Sequence, residues 1–208
     1  MLGDDNPAND TASGQFTVEA GVPGGPGGWD ELAAMPAEPS GKPVKRGGWL
    51  VHGAGEDAVY AAKGYKTTDF YRYSISGNSW TGLSGMPYAS HPVWSKKAPR
   101  KGSKGCYDGD RYVYVTQGNN SLGFWRYDTD SDAWSMLDDV PLGSRRKKVK
   151  GGTDMVYLEH GGEGYVYLLK GYRTGFYRYS VNSGDWEELA EAPVGTRAKW
   201  DKLSLIHI

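Results

Sequence analysis

The chain has 208 residues, with 24 Lys and Arg against 25 Asp and Glu, and its formal net charge of -1 excludes a uniformly basic or acidic protein. With Tyr 15, Trp 8, Gly 31 and Pro 11 but only 38% hydrophobic residues, the composition suits short half-buried strands joined by tight turns rather than a helical bundle. The single cysteine, Cys106, excludes an intrachain disulfide, and no apolar run reaches the roughly 18 residues of a membrane helix.

Residues 1–28 are rich in Gly and Pro and read as a segment or linker ahead of the folded part. Their opening, MLGDDNPAND, lacks the basic and apolar regions of a signal peptide, so the chain as given reads as soluble. A repeat begins at residue 29. Its Trp-x-x-Leu element, closed by Pro, occurs as WDELAAMP from Trp29, WTGLSGMP from Trp80, WSMLDDVP from Trp134 and WEELAEAP from Trp186, at intervals of 51, 54 and 52 residues.

Two further landmarks recur in constant order between these elements. They are VYAAKGY, VYVTQGN and VYLLKGY at 59–65, 113–119 and 166–172, then YRYSISGNSW, WRYDTDSDAW and YRYSVNSGDW at 71–80, 125–134 and 177–186. A period near 50 residues, with several short strands and Gly turns per unit, predicts all-β propeller blades of four antiparallel strands. Complete units are expected at about 47–87, 104–141 and 151–193, with partial units at 29–36 and 194–208. In the second unit the strands fall at roughly 105–108, 111–117, 122–129 and 133–137, with DGDR as a hairpin turn.

On these landmarks, residues 29–208 resemble kelch-type β-propeller repeats, in particular the bacterial variety with FWRYD in the third strand. The resemblance implies that the first strand of each unit is innermost and the fourth outermost. It also implies membership of a larger exported protein. One departure is that the usual Gly-Gly after the second strand is Lys63-Gly64, Gln117-Gly118 and Lys170-Gly171.

Strand alternation sends Tyr71 and Tyr73 to one face and Arg72 to the other, and the same holds at Arg126 and Arg178, so the repeated aromatics are expected to fill the gaps between blades. Three complete units do not close a ring, which leaves open blade faces: either the chain belongs to a longer propeller or copies of it associate. The closing KLSLIHI is either the first strand of a further unit or an unrelated tail.

Function is sought where the repeats differ, in the connections from outer to inner strand. Sixteen of the 24 basic residues lie there: Lys42, Lys45 and Arg46; Lys96, Lys97, Arg100, Lys101 and Lys104; Arg145, Arg146, Lys147, Lys148 and Lys150; Arg197, Lys199 and Lys202. Together they predict a positive rim that attracts an anion, whether an acidic glycan, an acidic protein or, as a weaker candidate, a nucleic acid. The alternative is a solvated loop set partly paired with Asp138, Glu187 and Glu188. The connection between Pro87 and Gly105 is the longest, and its Trp94 either stacks on a sugar or base beside Lys96 and Lys97 or packs on its own blade. The ligand-binding candidates are therefore Trp94, Lys96, Lys97, Arg100, Lys101, Arg145, Arg146, Lys147 and Lys148.

No metal site or cofactor is expected. His52 and His160 read as turn residues, His91 as a loop residue and His207 as part of the tail, and DTDSD at 128–132 lacks the Gly and distant Glu of a calcium loop. Galactose-oxidase-like and sialic-acid-mutarotase-like enzymes share the resembled architecture, but no catalytic constellation is visible in this chain. The expectation is a binding or interaction module, with a carbohydrate-active enzyme as the alternative.

Overall fold

Two residues ahead of each of three repeated tryptophans the backbone turns left-handed, at Asn78 (φ 41), Asp132 (φ 50) and Gly184 (φ 77). Asn, Asp and Gly tolerate that conformation best, and there it reverses the chain into a hairpin just before the tryptophan strand. The structure is a computed structural model and describes residues 28–53, 55–171 and 174–193.

Among the described residues twelve strands form three antiparallel four-stranded sheets, each a simple meander. Blade 1 holds β1 (Trp49–Gly53), β2 (Ala58–Ala62), β3 (Phe70–Ser74) and β4 (Ser79–Leu83). Blade 2 holds β5 (Lys104–Tyr107), β6 (Tyr112–Thr116), β7 (Phe124–Asp128) and β8 (Ala133–Leu137). Blade 3 holds β9 (Asp154–His160), β10 (Glu163–Leu169), β11 (Phe176–Ser180) and β12 (Trp186–Leu189).

The expected strands of blade 2 are present, but β7 starts at Phe124 rather than at 122. Gly118, Asn119 and Asn120 all take positive φ, and the chain is not extended again until Gly123 has accepted a hydrogen bond from the Gln117 amide at 2.9 Å. The expected DGDR hairpin turn also forms, as Asp108 Oδ1 accepts from the amides of Asp110, Arg111 and Tyr112 at 3.0, 2.8 and 2.9 Å. His52 and His160 sit within β1 and β9, opposite Val59 and Glu163, rather than in the turns.

The blades stack through two aromatic seams. In the first, Trp49, Tyr60, Phe70 and Met86 of blade 1 meet Tyr107, Val113, Trp125 and Tyr127 of blade 2. In the second, Cys106, Tyr114, Phe124 and Val140 meet Met155, Val166, Tyr177 and Tyr179 of blade 3. Both faces of the third strand are used, the Phe side toward the following blade and the Tyr side toward the preceding one. The inner strands also touch, β5 lying against β1 and β9. There Gly105 is required, since a Cβ would fall 2.5 Å from the Trp49 ring. Asp132 locks the first seam from outside by accepting from the Ser84 amide at 2.8 Å and the Tyr127 hydroxyl at 2.8 Å.

The chain divides after Ala33, and residues 28–33 carry no regular structure. The outer strand expected from Trp29 is not formed: 28–37 contain no strand and Trp29 is 97% exposed. An outer strand needs a paired neighbour, and no other strand of such a unit is among the described residues. The expected segment 1–28, apart from Gly28, and the partial unit 194–208, with Arg197, Lys199, Lys202 and His207, lie outside them. No helix among the described residues is long and apolar enough to cross a membrane.

Candidate functional site

The basic connections are built from inside outward. His91 is buried at the centre of the β4–β5 loop, where its Nδ1 accepts from the amides of Val93 and Trp94, both at 3.1 Å, and its Nε2 lies 2.9 Å from Asp139 Oδ1. With Nδ1 accepting, the ring proton resides on Nε2 and is donated to Asp139. Trp94 donates its indole N–H to the other Asp139 oxygen at 2.7 Å. Asp139, just past β8, thus holds the loop that enters blade 2.

A second set of fasteners comes from the position where the resembled repeats carry the first Gly of a pair. Gln117, fully buried, donates Nε2 to the carbonyls of Trp94 (2.9 Å) and Lys97 (2.7 Å) and accepts the Trp125 indole N–H at 3.1 Å. Lys63 Nζ reaches the carbonyl of Ala37 at 2.6 Å and Asp69 at 2.9 Å. Lys170 Nζ donates to the carbonyls of Pro141 and Leu142, the latter at 3.4 Å, and of Lys147 at 3.0 Å. Each blade therefore clamps its own incoming loop with one long polar side chain. The sequence signal was the replacement of Gly by Lys, Gln and Lys at one repeat position, visible but without an assigned role.

The two lysine clamps differ electrostatically. Burial opposes the charge on Lys63, but the Tyr71 hydroxyl and Asp69 outweigh it and hold its pKa above the ordinary value. Lys170 has a glycine, Gly175, where blade 1 has Asp69, and burial pulls it down to about 8.

The nine candidate residues fall into distinct groups. Trp94 is half-buried and packs against the second seam, and Lys148 Nζ lies 4.6 Å from its ring centroid, so a residue of this chain occupies the aromatic face. Arg145 grips Glu191 through two hydrogen bonds, at 2.6 and 2.8 Å, which hold the Glu191 pKa down to about 2. The Arg100 Nε is buried, while the Lys97 carbonyl serves the Gln117 clamp. Lys96, Lys101, Arg146 and Lys147 are exposed, and among the described residues none of them is in an ion pair.

Two of the three acidic neighbours expected to neutralise the rim take other partners. Glu187 pairs with Arg178 at 2.7 Å, and Glu188 accepts from the Ser144 amide and hydroxyl at 3.0 and 2.8 Å. DTDSD is also absorbed by the fold, as Asp128 takes Arg111 at 2.7 and 2.6 Å. Cys106 is buried in the second seam, and burial pushes its thiol pKa up.

No family model and no curated protein matches the chain. Among solved structures it is similar to YjhT, with 17% identity over 71% of this chain and 51% of that one and a TM-score of 0.49. It is also similar to the RRP9 WD40 repeats, at 15% over 68% and 37% with a TM-score of 0.46. A structural genomics protein of unknown function from Bacteroides thetaiotaomicron VPI-5482 is similar at 14% over 68% and 32%, with a TM-score of 0.48. The chain thus spans about half the length of YjhT and about a third of the others.

Proposed function

We propose that the chain is a binding module on kelch-type blades, taking an acidic glycan along the rim formed by its outer-to-inner connections. The observation that carries this reading is that Lys96, Lys101, Arg146 and Lys147 are exposed and outside ion pairs, on loops whose backbones are clamped by Gln117 and Lys170. Fixed loops lose little conformational freedom on binding, and like charges held together raise the local concentration of an anion. An extended polyanion suits a rim better than a compact ion would, because the charges are spread over two connections.

The test is calorimetric titration of the chain with polygalacturonate, using neutral dextran as control. Binding to the first and not the second is expected, with at least about a tenfold loss when Lys96, Lys101, Arg146 and Lys147 are all changed to Gln. Equal binding by that variant would end the proposal. The alternative of a carbohydrate-active enzyme has no observation in its favour among the described residues.

A further inference from the structure

Three segments free of acidic residues, 39–55, 58–68 and 86–107, meet where the connections into blades 1 and 2 touch. The Tyr65 amide donates to the Arg46 carbonyl at 3.2 Å, and the Lys66 amide donates to the Pro99 carbonyl at 2.8 Å. Glycine permits the close approach, since a Cβ on Gly47 would overlap the Arg100 carbonyl and one on Gly64 would overlap Gly47. Backbone contact therefore brings Arg46, Lys66 and Arg100 to one junction from three separate stretches of chain. Asp57 and Asp69, which flank the middle segment, are already engaged: Asp57 accepts from Ser74 and Ser76, and Asp69 accepts from Lys63 and Ser40.

Arg46 and Lys66 are exposed, and neither is in an ion pair among the described residues. Arg100 is partly buried with its Nε enclosed, and its guanidinium makes no hydrogen bond among the described residues. A guanidinium held by packing yet short of acceptors is suited to a bidentate oxyanion on its outer nitrogens. The charge at Lys66 is also placed against the backbone's preference. Gly64, Tyr65 and Lys66 take positive φ in succession, at 63, 52 and 63, where the matching turn of blade 2 has Gly118, Asn119 and Asn120 at 66, 53 and 60. Asparagine tolerates that conformation better than Tyr or Lys, so blade 1 carries a cation where Asn would sit more easily.

We propose that Arg46, Lys66 and Arg100 form a site for a tetrahedral oxyanion, carried as the sulfate ester of a glycan or as a phosphate monoester. Three cations on hydrogen-bonded, acid-free backbone repel one another, and a compact anion relieves that repulsion at a single point. The carboxylates of polygalacturonate, by contrast, suit cations spread along two connections. The site draws on none of Lys96, Lys101, Arg146 and Lys147, so it stands or falls separately from the acidic-glycan reading.

Two-dimensional amide NMR spectra, recorded while sodium sulfate or sodium phosphate replaces sodium chloride at constant ionic strength, test the proposal. Saturable shifts are expected at residues 46–48, 64–66 and 100–102, with affinity lowered by about tenfold in Arg100→Gln. Lys66→Asn copies the residue that the same turn carries in blade 2, Asn120, so it keeps the backbone and should lower affinity by about fivefold. Glucose 6-sulfate and glucose 6-phosphate then name the source, the ester bound more tightly being the group that the site takes. Shifts no larger than those given by chloride, shifts that do not saturate, or unchanged affinity in both variants would overturn the proposal.

Discussion

Lys148 Nζ, from the connection into blade 3, rests 4.6 Å above the ring of Trp94, from the connection into blade 2. The contact ties neighbouring loops together and takes the Trp94 face out of use as a stacking platform. A cation over an indole contributes roughly 0.5–1 kcal/mol at a partly exposed site. Trp94→Phe keeps the packing and loses the hydrogen bond to Asp139, so it should cost about 1 kcal/mol in urea unfolding. It should also leave polygalacturonate affinity within about twofold. A large loss of affinity with unchanged stability would return Trp94 to the ligand.

Gln117 is the most demanding of the three clamps, because it satisfies two carbonyls and one indole N–H in a fully buried place. Gln117→Leu strands all three and should destabilise the chain by about 2–4 kcal/mol in chemical unfolding. Protease sensitivity should appear first in the β4–β5 loop, whose Trp94 and Lys97 carbonyls lose their donor.

The clamp positions mark where sequence reading stopped. Repeat spacing alone located the three blades and nearly every strand of blade 2, because a stacked repeat must restate its packing residues and hairpin turns in each unit. It also located the basic connections. What it did not convey was which charges remain exposed. Arg145 is paired with Glu191 and Lys148 lies over the ring of Trp94, residues 46 and 54 positions away along the chain, and spacing carries no information about such partners. His91, read as a loop residue, is the buried hub of that loop for the same reason. The outer strand expected from Trp29 had the right landmark, but a landmark cannot supply the strand beside it.

The two lysine clamps predict different responses to base. Folded Lys170 releases its proton near pH 8, whereas the unfolded chain keeps it until about 10.5. Between those limits the unfolded state binds more protons, so this residue's contribution to stability rises with pH. Urea midpoints compared at about pH 7.5 and pH 9.5 should show that rise in the parent chain, and Lys170→Met should remove it. Lys63, raised above its ordinary value, stays charged through the window, so a Lys63→Met chain should retain the rise.

The phenylalanines that open the third strands should differ in cost according to whether a following blade covers them. Phe124 is completely buried between blades 2 and 3, and Phe124→Ala should cost about 3–5 kcal/mol. Phe176→Ala removes a ring that no strand of a following blade covers among the described residues and should cost about 1–2 kcal/mol. Thermal unfolding of the two variants side by side gives the comparison. Equal losses would mean that the blade 3 face is covered in the single chain.

The salt dependence of polygalacturonate binding tests most directly whether the exposed cations on clamped loops recruit a polyanion. The affinity of the parent chain should fall by about tenfold or more between roughly 50 and 200 mM salt, and the variant lacking Lys96, Lys101, Arg146 and Lys147 should show a markedly flatter dependence. Binding that ignores salt, or that keeps the same slope without those four charges, would rule out recruitment by these cations.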